Sequence, residues 1–375
     1  TATADGQPTA SGGNNHTEEA GEDYQSSEYH RTQTKKSWGG LKKKTTTTDH
    51  VEEHLTHTTS TLSGKGGVSL EAGNTTTVVG SKLHSGGNLD IASGGQLTVL
   101  AAEDKHVVQH DQKTKKSFAG INYGKSTSSS TSTQTRVAGS AADAMGDMAT
   151  TSGGSSTFQA SSLQAGGALN VKAGGGVNIV SGTNTDSLNS QASSTAFGGA
   201  LSSNSTDTVQ QSTVAGSTFN ATHITIDANS IVVEASQIEA QTIALIADSV
   251  ALISGKNSLY ENHTSDDSGI LLREIETQGQ IKEGAVAATL TAETLTLNGK
   301  PLADESLSTE ALLKRISSEG QLTDAQLTTL TAELQNQSWH EKQTTLSKVG
   351  NLIVQAVAAY LAPGVGNSFG QSLGQ

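Results

Sequence analysis

One long repeat constrains this chain more than anything else in it. Trp38-Gly39-Gly40, Phe118-Ala119-Gly120 and Phe197-Gly198-Gly199 recur 80 and then 79 residues apart. Lys35-Lys36-Ser37 precedes the first, Lys115-Lys116-Ser117 precedes the second, and a Ser/Thr tract follows each. Downstream, Leu83, Leu89, Ile91, Leu97 and Val99 map onto Leu163, Leu169, Val171, Val177 and Ile179, every member shifted by 80 residues. Self-similarity at a fixed period marks a stacked architecture, in which one unit cannot bury its apolar face alone and its neighbours cover it.

A shorter period lies inside the long one. Val68 and Leu70 are followed 21 residues later by Leu89 and Ile91; Ile224/Ile226 and Ile243/Leu245 are 19 apart, as are Ile231/Val233 and Val250/Leu252. Within each pair one residue intervenes, as in Leu89-Asp90-Ile91, which is the alternation of a strand with one face in and one face out. Short strands closed by Gly, Asn or Ser and recurring about every 20 residues predict an all-β fold, a parallel β-helix whose turns rise about 4.8 Å each. Leu89, Ile91, Leu169 and Val171 are predicted to point inward. Gly86-Gly87, Gly94-Gly95, Gly166-Gly167 and Gly174-Gly175-Gly176 are predicted at its corners, where positive φ would otherwise be costly. The hydroxyl-rich stretches at roughly 31–60, 104–157 and 186–217 read either as extended β excursions, which the strand preference of Thr favours, or as mobile loops.

Near residue 300 the pattern changes. Asn298-Gly299-Lys300-Pro301 is a turn signal, after which the spacing predicts helices. Ser308 is a candidate cap for a helix to about Ser318, and Thr323 with Gln326 and Ser338 with Glu341 match the capping box. The last helix would carry Leu346, Val349, Ile353, Val357 and Tyr360 on one side, either packing on other elements or lying in a membrane surface. The expected organisation is therefore 1–60, the hydroxyl-rich part of a truncated first repeat; 61–300, the β-helix; and 301–375, a small α-helical region.

Composition agrees and excludes. Of 375 residues only 33% are hydrophobic and 3% aromatic, with 41 Gly and 3 Pro, which fills a thin core rather than the thick one of a compact enzyme. There is no Cys, hence no disulfide, thiolate metal site or cysteine nucleophile. The net charge of −13 disfavours nucleic acid as a partner. The N-terminus has no basic region, apolar region or initiator Met, so the chain is expected to be an internal stretch of a longer protein.

The tandem Gly-Gly-x-Leu-x-Ile/Val coil, clearest in 89–102 and 163–180, together with the Lys/Ser run, the aromatic-Gly pair and the Ser/Thr tract, resembles the haemagglutinin repeats of filamentous-haemagglutinin-type exoproteins over about 30–260. Trp38, Phe118, Phe197, Leu89, Ile91, Leu169 and Val171 define it. The segment from Gln337, with Trp339-His340-Glu341 and the apolar stretch to Leu361, resembles the region before the toxin in contact-dependent growth inhibition exoproteins. The resemblance implies a right-handed coil in a secreted cell-surface filament, associated with virulence or competition and exported through its own two-partner-secretion outer-membrane transporter. It further implies delivery of a C-terminal toxin domain across the outer membrane of a target cell, met directly or through a surface receptor. A structural stalk or adhesive segment is the alternative. The sequence holds neither a secretion domain, nor a toxin domain, nor a Val-Glu-Asn-Asn boundary motif, so any toxin activity is expected outside it.

Chemical candidates are few. Ala119-Gly120-Ile121-Asn122-Tyr123-Gly124-Lys125-Ser126 approaches a phosphate loop but has Ala119 where Gly is required. His50, His54 and His57 beside Asp49 and Glu53 would share a helix face, but in a Thr-rich β context His57 turns away; His106 and His110 with Asp111 are similar. Gly86-Gly87-Asn88-Leu89-Asp90 lacks the third Gly of a calcium-binding nonapeptide. Lys35, Lys36, Lys42, Lys43 and Lys44 read as a solvated loop or a site for lipopolysaccharide phosphates. A polysaccharide-degrading β-helix needs clustered carboxylates on successive turns, where this chain has Asp90, Asn170, Lys172 and Asn178. The expectation is no enzyme, with no catalytic residue, no cofactor and no metal.

Overall fold

The computed structural model describes residues 2–4, 9–303, 307–308, 326–330 and 332–361. Each winding of the chain is three short strands, as in Thr61–Gly64, Val68–Ala72 and Thr75–Val79, and in Lys82–Ser85, Leu89–Ser93 and Leu97–Leu100 above them. Successive windings pair in parallel and in register. One ladder runs Val68, Leu89, Met148, Leu169, Ile224, Ile243, Leu295. A second runs Leu62, Leu83, Ala142, Leu163, Phe219, Ile238, Leu290. The third is Val78, Val99, Phe158, Ile179, Val233, Leu252. All three are buried in one continuous core, so the fold is a β-helix, with Leu89, Ile91, Leu169 and Val171 inside it.

After every second winding the chain leaves the coil at the same corner and returns as a long antiparallel hairpin. These are Gly21–Ser37 with Lys42–Thr58, Ala102–Phe118 with Ile121–Ala138, Gly182–Ala196 with Leu201–Ala215, and Gly255–Ser268 with Leu272–Val286. Consecutive hairpins pair with each other, and with Asn336–Leu346 they complete a nine-stranded antiparallel fin beside the coil. Strand spacing explains the period. A hairpin is two strands high and two windings are two strands high, each step about 4.8 Å, so one hairpin per two windings keeps both sheets unbroken. The hydroxyl-rich stretches are therefore β excursions.

At the corner where hairpins depart, Ser81, Ser140, Ser161, Ser217 and Ser236 form a buried column. Ser217 Oγ donates to Val180 O (2.8 Å) and accepts from the Ser161 amide (3.1 Å), while Ser236 Oγ accepts from the Ser217 amide (2.9 Å). The column satisfies backbone groups where the excursions interrupt the coil. Windings without a hairpin close this corner through Gly80, Ala160 or Ala235 at φ 54, 47 and 45°.

Several sequence expectations need correcting. The glycine pairs do lie at corners, but none of them has positive φ. Their role is close stacking: a Cβ on Gly73, Gly94, Gly153 or Gly174 would run into the carbonyl oxygen of Gly13, Gly73, Gly94 or Gly153 on the winding below. Gly153→Ala is expected to destabilise the coil by roughly 1–3 kcal/mol, as overpacking does, measured by urea unfolding. Gly284→Ala, where a Cβ meets nothing within 4 Å, is the near-neutral control.

Residues 141–159, assigned above to an excursion, are instead a full winding, Ala141–Ala144, Met148–Ser152 and Ser156–Gln159. Its small inward residues Ala142 and Ala144 weaken the apolar signal. Residues 1–60 are not merely a prelude, since Thr9–Gly12 and Asn15–Glu19 already stack beneath 61–79. Among the described residues of the region expected to be helical, 301–375, Gln326–Leu330 instead adds to the coil, and Asn336–Leu346 to the fin. Ser338, Glu341 and Leu346, the last expected on the final helix, thus stand in a strand, and the open edge of Leu272–Val286 overrides the capping-box spacing. Ser308 lies in a short strand and Gln326 in another. The helix expected over 309–318, and Thr323, lie outside the described residues. The helix Lys348–Leu361 follows the fin.

Candidate functional site

The repeat-defining aromatics stand at the hairpin tips. Tight reversal requires left-handed backbone, which Gly supplies, and this is why aromatic-Gly pairs recur there. Trp38, Gly39 and Gly40 have φ 56, 62 and 94°; Phe197, Gly198 and Gly199 have 51, 67 and 95°. The second tip turns through Ala119 (φ 50°) and Gly120 (φ 82°), directly after Phe118. All the tips fall on one edge of the fin, and the first two are joined by the Ala119 amide donating to Leu41 O at 2.8 Å.

That edge is apolar and wet. Trp38 is 78% exposed and Phe197 70%, and Leu41, Phe118, Ile121, Ile270, Leu271 and Leu272 are exposed too. The helix Lys348–Leu361 springs from the same edge. The Ser347 amide donates to Leu271 O, Ser347 Oγ donates to Ile270 O (2.6 Å), and the same Oγ caps the helix by accepting from the Gly350 amide (2.9 Å). Val349 is half-buried, while Leu352, Ile353, Val354 and Val357 face solvent; the Tyr360 side chain lies outside the described residues. Packing of this helix on the coil end is not what the structure has, because the helix begins at the tips, on the side of the fin away from the coil. No helix among the described residues is long and apolar enough to cross a membrane.

Lysines crowd behind the first two tips, against the acidic trend of the chain. Lys35 is opposite Lys44, Lys44 opposite Lys116, Lys36 opposite Lys43 and Lys115 opposite Lys125. Like charges directly opposed across strands destabilise a sheet. None of these lysines makes an ion pair among the described residues; Lys172, Lys256 and Lys342 do, with Asp227, Glu283 and Glu274. An apolar rim backed by unpaired cations suits an anionic lipid surface, where aromatic rings sit at headgroup level and lysines reach the phosphates.

The remaining candidates separate by geometry. Ala119 to Ser126 forms a turn and the start of a strand, without the helix a phosphate loop needs. At Gly86-Gly87-Asn88, Asn88 Oδ1 is taken by the Asp147 amide at 3.0 Å. Asp90 is flanked in its column by Ser69 and Ala149, and Lys172 pairs with Asp227 at 3.0 Å, so successive windings bring no two carboxylates together there. Asp266 is held below the usual carboxylate range by hydrogen bonds from Arg273, and Glu283 by Lys256, the opposite of what a general acid needs.

His57 turns to the opposite face from His50 and His54 and meets Asp104 at 3.1 Å. The pairing of Lys42–Thr58 with Ala102–Phe118 sets His54 opposite His106 and His50 opposite His110, with Glu52 between. The sequence kept these two histidine groups apart, since only the antiparallel register between hairpins joins them.

Residues 39–196 match a family model described as the hemagglutinin repeat, a span running from the first hairpin tip through four windings to the third. The match supports a stretch of filamentous-haemagglutinin type. Neither the curated proteins nor the solved structures gave a match to the chain.

Proposed function

We propose, from the hemagglutinin repeat at 39–196, that this chain is a non-catalytic stretch of a secreted bacterial cell-surface filament, exported by two-partner secretion, whose fin edge engages the outer membrane of a neighbouring cell. In the fuller form of this reading it helps carry a toxin, joined on its C-terminal side, across that membrane. The observation that carries it is the row of exposed aromatic and aliphatic tips backed by unpaired lysines. The hydroxyl-rich strands behind the rim would assist, because Ser and Thr side chains tolerate both water and partly apolar surroundings.

The test is flotation of the purified chain with vesicles made from outer-membrane lipids, followed by protease treatment. Co-flotation with protection of the tips and of residues 348–361 is the expected result. A chain that stays in the soluble fraction at every lipid composition, and is cut everywhere at equal rates, would leave the second reading, a structural or adhesive stalk. That reading is favoured by the width of the fin, which offers solvent-facing Ser, Thr and Gln on both sides for a non-lipid ligand.

A further inference from the structure

We propose that the face shared by the first two hairpins is a binding site for a zinc-class divalent ion, held by Glu52, His54 and His106. Two neighbouring strands bring the three side chains together there. Glu52 and His54 are two residues apart on one strand and so project from the same face. His106 lies directly opposite His54 on the neighbouring hairpin. Glu52 Oε1 is 3.0 Å from His54 Nε2 and 3.1 Å from His106 Nε2, and the two imidazole planes stack 13° apart with centroids 3.9 Å apart. The three ligand atoms lie within 4.8 Å of one another.

The two carboxylate–imidazole separations are hydrogen bonds as they stand and also suit ligands of one ion. Zinc binds imidazole nitrogen at about 2.0–2.1 Å and carboxylate oxygen at about 2.0–2.2 Å, which places neighbouring ligand atoms of a tetrahedral centre roughly 3.3 Å apart. The two imidazoles lie nearly parallel, so to admit the ion both rings would turn about their side-chain torsions and aim Nε2 at a common point. The donor set of two imidazoles and one carboxylate selects zinc, nickel or copper over magnesium and calcium, which prefer all-oxygen shells. Each side chain is part-exposed, so an ion has access and a water can take the fourth position.

The surroundings complete the case. Glu52 Oε2 faces His50 Nε2 at 3.9 Å, so the carboxylate can be oriented from behind while Oε1 serves the ion, the arrangement by which outer residues commonly fix metal ligands. His50 is held in place by Tyr29 on one side and His110 on the other, with centroids 5.1 and 5.9 Å away, and its Nδ1 is buried without a hydrogen-bond partner. Because His106 comes from a different hairpin than Glu52 and His54, the ion would clamp the first two repeats together across their seam.

Chelator-treated full-length chain titrated with zinc chloride in a calorimeter is expected to bind one ion through this site. His106→Ala and Glu52→Gln should each weaken binding at least tenfold, and His54→Ala with His106→Ala should abolish it. His57→Ala and His84→Ala, whose imidazoles pair with Asp104 and Asp143 instead, should leave it unchanged. Zinc should raise the thermal midpoint of the native chain and not that of the double variant, and magnesium chloride should raise neither. Circular dichroism of Glu52→Gln without metal checks that the fin is intact. No heat and no thermal shift with zinc in the native chain, or binding that survives the double variant undiminished, would overturn the assignment.

Discussion

Leu169→Asp is expected to unfold the central windings of the coil. Leu169 is fully buried, stacked in register between Met148 below and Ile224 above. Truncation to Ala would cost about 2–5 kcal/mol, the range for emptying a packed aliphatic site. An unpaired carboxylate in the same place adds the desolvation of a charge with no partner within the ladder, taking the loss beyond about 5 kcal/mol. The coil is a stack of nearest-neighbour contacts, so the damage should spread from 162–180 to the windings on either side. Asn170→Asp, one residue on and facing outward, should change stability by no more than about 0.5 kcal/mol. Urea unfolding followed by circular dichroism, with limited proteolysis to locate the break, separates the two. Equal stabilities would mean that the inward ladder is not what holds the chain.

At the other extreme of the molecule, replacing Trp38, Phe118 and Phe197 together by Ser is expected to lower partitioning onto anionic vesicles at least a hundredfold without moving the thermal midpoint. A buried aromatic removes about 150–250 Å² from water, worth several kcal/mol if complete and about half of that at a headgroup interface, so three tips reach the hundredfold effect readily. Replacing Lys35, Lys36, Lys42, Lys43 and Lys44 by Gln should weaken binding by about 1 kcal/mol for each cation near the surface. That loss should vanish in high salt, where the field is screened, whereas the aromatic loss should persist. Native-like partitioning of the triple variant would remove the tips from membrane contact and leave the adhesive stalk as the better reading.

Much of the fold is legible in the sequence because the coil obeys one rule along its whole length. Leu89, Ile91, Leu169 and Val171 repeat at the spacing at which the windings stack, and each is buried. What escapes is whatever depends on contacts between windings or hairpins. Gly94 and Gly153 look like turn residues until the carbonyl beneath each is placed. Ala142 and Ala144 are too small to announce a winding. Gln337 to Thr345 is polar enough to pass for a solvated helix, and only the open edge beside it makes it a strand. The tips are legible as a motif, Trp38 and Phe197 standing out by period, but their exposure is not, since an aromatic in a repeat reads first as core. Glu52, His54 and His106 could have been found only by laying one hairpin antiparallel on the next.

The match in height between one hairpin and two windings also governs how such a chain can lengthen. Duplicating a lone 21-residue winding would extend the coil yet leave the fin one strand short of meeting across the insertion, exposing unsatisfied edges on both sides. Unequal crossing-over that copies the whole 80-residue block adds coil and fin in step, so lineages of these proteins should differ in size by multiples of that block, as masonry rises by courses and not by single bricks.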